Sequence, residues 1–322
     1  MKLPKSTNLI FGILISLVFL YLAVRKVDFA EFRKSITGVQ YGFALTGLFA
    51  GVLSYLVRAW RWRFFLSGIK KINISRLFSA TLIGFMANNL LPVRAGELFR
   101  VLVVNRKESV SFSAVLGSLV AERAMDGITI SLIAFGSLWF LPIQNDIKMA
   151  VGAFFGVFAA LILLLLMLAK FESVRKILFS FLPAGISKLT ENFILGLKGL
   201  SNPTVFFVTF IGSFPIWIFS VLYFYLIEIS MDIHLPFSSS IAILISVAIG
   251  VAIPSSPGFI GVYHFFCQKA LEMYGIEPSV AFGFAVVSHI LQYIGVILLG
   301  MFFLFYENLS LSDMNFENSK EK

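Results

Sequence analysis

The stretch that decides the architecture is Asn88-Asn89-Leu90-Leu91-Pro92-Val93-Arg94-Ala95-Gly96-Glu97, with Arg100 three residues beyond. It sits in the middle of an apolar run from 77 to 104, where a membrane helix would otherwise be read. Proline removes a backbone donor and clashes with the preceding turn, so a helix entering at 77 breaks at Pro92. The half before the break rises only about 22 Å at 1.5 Å per residue, enough to pass a bilayer midplane but not to cross. Broken backbone at that depth survives only where protein or a water-filled cavity satisfies it. The segment therefore reads as a re-entrant helix–break–helix hairpin, with Pro92 and Gly96 at its turn.

The rest of the chain supplies the membrane context. Of 322 residues, 58% are hydrophobic and 13% charged, and the mean hydropathy is +0.91. Soluble domains run at roughly 45–50% apolar and about 25% charged. Full spans are expected at about 8–24, 42–66, 113–141, 149–169, 204–230 and 280–306. A second broken segment, 239–274, carries Pro254-Ser255-Ser256-Pro257-Gly258 and then Gly261. The fold class is thus an all-α polytopic membrane protein of about six spans and two re-entrant hairpins, eight membrane elements in all.

A shift of 162 residues carries Pro92 and Gly96 onto Pro254 and Gly258, and span 42–66 onto 204–228. The chain then divides into internal repeats at about 42–141 and 204–303, linked by 142–203, within one transmembrane domain. One crossing at 149–169 lies between the repeats and inverts the second. Inverted repeats with broken helices meeting near the midplane are a common plan of secondary transporters. Segment 170–203 reads as a basic surface helix or a plain connection, and 307–322 as a polar tail.

The formal charge of +9 follows the positive-inside rule rather than pointing to nucleic acid. Arg58, Arg61, Arg63, Lys70, Lys71, Arg76, Arg106 and Lys107, with Lys170, Arg175, Lys176, Lys188 and Lys198, fall on the cytoplasmic side. Arg25, Lys26, Arg33, Lys34, Lys148 and Lys269 stay outside, so both termini are expected in the cytoplasm. Lys2 and Lys5 precede the first apolar run without a cleavage signal, which reads as an uncleaved span. The lone Cys267 and three scattered histidines give no metal-ligand spacing, and no phosphate-binding loop is present; no cofactor is expected.

Charge inside a membrane span costs roughly 2.5 kcal/mol or more per group and marks function by default. In the span after the first hairpin, Glu122, Arg123 and Asp126 lie near the bilayer centre. Arg94, Glu97 and Arg100 flank the break, and His289 and Gln292 reach similar depth in the last span. Two readings stay open: a closed ion-pair network that holds the broken helices, or a cavity where Arg94 and Arg100 receive an anionic headgroup. Asn88 and Asn89, with Ser255 and Ser256 of the second hairpin, would supply hydrogen bonds, and Glu122 and Asp126 are candidate proton carriers. The segment Arg58-Ala-Trp-Arg-Trp-Arg63 reads as an interfacial anchor, because Trp and Arg both favour the headgroup zone.

At these motifs the chain resembles the membrane domain of the lysylphosphatidylglycerol synthase/flippases, the flippase-like domain proteins. The pieces are Arg58-Ala-Trp-Arg-Trp-Arg63, the run from Gly84 to Arg100, Glu122-Arg-Ala-Met-Asp126 and Ile253-Pro-Ser-Ser-Pro-Gly-Phe-Ile-Gly261, in order along nearly the whole chain. The resemblance implies a prokaryotic lipid flippase of the cytoplasmic membrane, acting on a phospholipid or polyprenyl-linked lipid. Full-length synthases add a cytosolic aminoacyl-transferase, which is not expected here, so the chain reads as a transporter and not an enzyme. The alternatives are an ion-coupled transporter of a small anion, a membrane-embedded lipid-modifying enzyme, and a non-catalytic partner of such an enzyme.

Overall fold

The computed structural model describes residues 6–91, 96–139, 145–180 and 187–310. Pro92 and Arg94 lie outside the described residues. Among those residues the chain is all-helical. The helices are α1 Ser6–Val24, α2 Phe29–Thr37, α3 Tyr41–Leu66, α4 Ile74–Leu90, α5 Gly96–Glu108, α6 Phe112–Ser137 and α7 Asn145–Lys170. They continue with α8 Glu172–Phe179, α9 Ser187–Ser201, α10 Pro203–Ile211, α11 Ser213–Ser230, α12 Ser238–Ala252, α13 Val262–Glu272 and α14 Pro278–Tyr306.

Local chemistry fixes many of the boundaries. Asp28, Asn73, Ser111, Asn202 and Glu277 each accept backbone N–H bonds at the start of the helix that follows, satisfying donors a helix terminus leaves free. Pro203 and Pro278 open their helices where the missing N–H costs nothing.

Four helical stretches among the described residues are long and apolar enough to cross a membrane: Tyr41–Leu66, Val151–Lys170, Pro203–Ser230 and Pro278–Tyr306. A fifth candidate is the pair Ile10–Val24 and Phe29–Thr37, bent by 91°. The chain is a multi-pass helical membrane protein. Its outward side chains agree: Phe11, Leu17, Phe49, Phe207, Leu298 and Phe302 are all exposed, as a lipid-facing surface requires. Helix α6, expected as a plain span, has 26 residues, long enough to cross, but its centre holds the charges Glu122, Arg123 and Asp126.

Two antiparallel helical hairpins occupy the middle. In the first, Asn88 Oδ1 accepts from Gly96 N (2.9 Å), Gly84 packs against Arg100, and Arg76 at the start pairs with Glu108 at the end (3.4 Å). In the second, Gly250 packs on Phe266 and Tyr274 donates to Ser238 Oγ (3.2 Å). The hairpins open at opposite ends of the bundle. At one end Lys70 and Arg76 reach Glu108, and Arg76 also pairs with Glu307 after α14. At the other, Gln40 N donates to Ser230 O (2.7 Å) and Asp28 N to Ser279 Oγ (2.9 Å).

Between those ends the last turn of α4 meets the turn of the second hairpin. Tyr293 of α14 donates to Asn89 O (3.3 Å), and a Cβ on Gly258 would lie 3.3 Å from that same oxygen. Pro257–Phe259 forms a single 3-10 turn, with Gly258 at φ 69° and Gly261 at φ 87°. That left-handed region costs an L residue about 1–2 kcal/mol, so glycine serves both positions. Gly261 also lets its turn lie directly on Ser16 of α1.

The connection after α7 departs from expectation in its second half: α8 buries no residue, as a surface helix would, but α9 does. Helix α9 is neither a surface helix nor a plain loop, because it buries Ile194, Leu197 and Leu200. Gly196 and Gly199 bring its backbone against α6 and α3, the close approach that small residues permit between membrane helices.

Candidate functional site

Helix α6 carries Glu122, Arg123 and Asp126 on one side of about one turn. Helix α3 brings Arg58 and Arg61, one turn apart, and α5 brings Glu97 and Arg100, also one turn apart. Side chains three or four residues apart share a helix face, so three helices point seven charges into one space.

Glu122 is fully buried and sits at the centre. Arg100 holds it with both fork nitrogens, Nη1–Oε1 at 2.7 Å and Nη2–Oε2 at 2.9 Å. Arg123 Nη2 adds a third bond at 2.5 Å, and Arg58 and Arg61 stand 3.5 and 3.6 Å away. Asp126 pairs with Arg58, with Arg61 (2.6 Å) and with Arg123 (3.0 Å). Arg61, with no exposed surface, also donates to Ser213 Oγ of α11 (2.5 Å). The Arg100 guanidinium lies 3.8 Å from the ring centre of Trp62, whose indole N–H donates to Ser118 Oγ (3.0 Å). Stacking of this kind suits the flat, weakly hydrated guanidinium.

The charges do not balance. Among the described residues, four guanidiniums (Arg58, Arg61, Arg100, Arg123) meet three carboxylates (Glu97, Glu122, Asp126), one positive charge in surplus. Nor are the donors used up. Arg58 Nε, Arg61 Nε and Nη2, Arg100 Nε and Arg123 Nε are buried without a hydrogen-bond partner. A buried donor left unmade costs about 1–3 kcal/mol. The cluster reaches the surface at one place. There Arg123 and Glu97, 3.7 Å apart and about one-third and two-fifths exposed, line a small open cleft with Asn88 and Phe85.

Of the residues singled out in the sequence, the fold brings together Glu97, Arg100, Glu122, Arg123 and Asp126, with Asn88 at the cleft. Arg100, expected to hold phosphate, is the two-pronged partner of Glu122. Glu122 and Asp126, suggested as proton carriers, are each clamped by several guanidiniums. The others gather at the second turn. Ser256 N donates to Ser16 Oγ (2.9 Å), fastening that turn to α1, while Ser255 Oγ is buried without a partner. His289 stacks on Tyr263 (4.4 Å) and meets His264 edge-on (4.8 Å). Gln292 donates to Tyr55 on α3 (3.3 Å). His289 and Gln292 thus serve the contacts of α14 rather than the charge cluster. Pro254 precedes the 3-10 turn of the second hairpin and Pro257 opens it.

Arg58 and Arg61 correct the interfacial-anchor reading. They are buried in the charge network, and within the motif only Arg63 is exposed. The signal was their spacing: three residues apart they share a face, whereas Arg63 falls on another. Among the described residues no cluster of His, Cys, Asp and Glu could hold a metal ion.

A multi-pass helical membrane protein with a buried arginine–carboxylate cluster is the class that fold and site define. A model of the lysylphosphatidylglycerol synthase TM region matches residues 9–300, and the chain belongs to that family. It is 25% identical over 227 residues to a UPF0104 membrane protein of Methanocaldococcus jannaschii, covering 69% of this chain and 95% of the relative. A UPF0104 membrane protein of Methanothermobacter thermautotrophicus is 25% identical over 272 residues, covering 79% of each chain. No solved structure matches.

Proposed function

We propose that this protein is a lipid flippase of the prokaryotic cytoplasmic membrane, a transporter rather than an enzyme. It would move a phospholipid or polyprenyl-linked headgroup between leaflets past the arginine–carboxylate cluster. The observation that carries the reading is the surplus guanidinium charge, with unpartnered donors, opening at Arg123 and Glu97. Arginine's planar fork suits phosphate oxygens, and a network already short of anions gains from one.

In this reading the chain forms one transmembrane domain of eight membrane elements. The two hairpins are re-entrant, and 42–141 and 204–303 are inverted repeats. Three facts support this: the hairpins open at opposite ends, the end of α4 at Asn89 meets the second turn at Gly258, and α3 packs antiparallel to α10 and α11, with Gly47 on Tyr223 and Trp60 on Gly212. The end bearing Lys70, Arg76, Arg106 and Lys107 faces the cytoplasm with both termini. Membrane lipids are the partners, with a lipid-modifying enzyme as supplier.

One observation favours a second reading. The cleft is lined by Thr81, Asn88, Glu97, Arg100 and Arg123, with Phe85 the one large apolar side chain, a polar setting that suits a small soluble anion. Leaflet exchange of labelled anionic, zwitterionic and polyprenyl-phosphate lipids in proteoliposomes decides between them. The flippase reading expects protein-dependent exchange of at least one. Inorganic phosphate uptake without any lipid exchange would establish the small-anion transporter instead.

A further inference from the structure

Glu228, near the end of α11, has no exposed surface and forms no ion pair among the described residues. Its neighbours are hydroxyls on the first turn of α12. Ser239 Oγ lies 3.0 Å from Oε1 and 2.9 Å from Oε2, and Ser240 Oγ lies 3.1 Å from Oε1. Ser239 Oγ is also 2.8 Å from the Pro236 carbonyl.

The protons can be counted. A serine hydroxyl has one hydrogen to donate. With Glu228 ionised, Ser239 faces three acceptor oxygens (Oε1, Oε2 and Pro236 O) and can satisfy one. The other close oxygen pairs would repel, and a buried carboxylate would stand without a cation, an expensive state. A proton on Oε2 removes the charge and supplies a third hydrogen for the four close oxygen pairs. Glu228 then donates to Ser239 Oγ, Ser239 donates to the Pro236 carbonyl, and Ser240 donates to Oε1. Only the Ser239 Oγ–Oε1 pair is left bare, where the ionised form leaves two.

We propose that Glu228 is the proton-binding site of this transporter, sensed by the second hairpin through the first turn of α12. The idea rests on the transport reading only for its use; the site itself stands on the oxygen geometry. Loss of the proton leaves Ser239 with too many acceptors and loosens the start of α12, the helix leading to the turn at Gly258. Other titratable groups near it do not supply a counter-charge. Cys267 of α13 is buried and near enough to interact electrostatically with Glu228, and the Tyr274 phenol donates to Ser238. Asp232 and His234 in the following loop are exposed and pair with each other (3.8 Å). The elements packed on α11 bring no Lys, Arg or His into ion-pair contact with Glu228 among the described residues.

The test is infrared difference spectroscopy on the full purified chain in lipid, comparing wild type with Glu228→Gln at neutral pH. The expected result is a carboxylic-acid C=O band in wild type that is lost in the variant and moves on transfer to D₂O. Ser239→Ala, which keeps the acid but removes its acceptor, should shift the band to higher frequency. Hydrogen exchange, corrected for its intrinsic pH dependence, should show α12 losing protection at the pH where the band disappears. Identical acid-region spectra for wild type and Glu228→Gln would overturn the proposal, as would a band that never responds to D₂O or an α12 indifferent to pH. These readings are taken on resting protein. A wild type that moves neither lipid nor inorganic phosphate would remove the transport reading and leave the acid band in place.

Discussion

Replacing Glu122 by Gln keeps the volume and removes one charge from a site with no exposed surface. Arg100 then loses its two-pronged partner, Arg123 loses its 2.5 Å acceptor, and four guanidiniums are left with Asp126 and Glu97. Breaking a buried ion pair from one side costs about 3–5 kcal/mol, because the surviving charge stays buried. At 1.4 kcal/mol per decade that is a loss of roughly 10²–10³ or more in the folding constant. Removing both partners together, Glu122→Met with Arg100→Met, leaves three guanidiniums with two carboxylates, the original surplus. Replacing a whole buried pair by apolar groups is often close to neutral. The double variant should therefore be more stable than Glu122→Gln by about 2 kcal/mol or more. Equilibrium unfolding in bicelles makes the comparison, and the single variants Glu122→Met and Arg100→Met complete the double-mutant cycle that gives the coupling. A Glu122→Gln loss under about 1 kcal/mol, or a double variant no better than the single one, would refute the reasoning.

Other substitutions probe the same account. Arg61→Lys keeps the charge but cannot reach both Ser213 and Asp126; a loss of about 1.5–3 kcal/mol is expected, against under about 0.5 for the exposed Arg63→Lys, both from unfolding curves. Gly275→Ala has open space and carries only the cost of its φ of 81°, about 1–2 kcal/mol. Gly261→Ala adds a collision with the Ser16 carbonyl and should lower the melting temperature further; equal losses would contradict the packing described. In a Cys267→Ser background, an impermeant maleimide should label Ser67→Cys and Asp232→Cys from opposite sides of the membrane. Labelling of both from one side would sink the proposed topology.

The breaks were legible because they are local events. Proline at 254 and glycine at 258 and 261 dictate backbone whatever surrounds them, α4 stops at Leu90 ahead of the first proline, and the long spans lie close to where hydropathy puts them. The charges on α6 were legible too, since Glu122 and Asp126 lie too deep in an apolar run to be surface groups. Partners were harder to read. Arg58 sits eight residues inside the end of α3, about 12 Å, yet its Arg/Trp motif has the composition of a headgroup anchor. Only the packing of α3 on α6 turns Arg58 and Arg61 inward. Arg100 was recognised as an intramembrane cation, but its commitment to Glu122 depends on how α5 folds back along α4. Glu228 gave no motif at all; its neighbours Ser239 and Ser240 look like ordinary first-turn residues until α12 is placed against α11.

The central claim is that a lipid headgroup passes the opening of the arginine cluster. Leaflet exchange in proteoliposomes with Arg123→Ala and Glu97→Gln, beside Arg63→Ala as an exposed control, tests it most directly. Arg123→Ala, which removes the surplus charge, should reduce exchange at least tenfold, Glu97→Gln, which enlarges it, should not fall below wild type, and the control should be unchanged, all with monodisperse, folded protein. Exchange that survives Arg123→Ala at the wild-type rate would contradict the account.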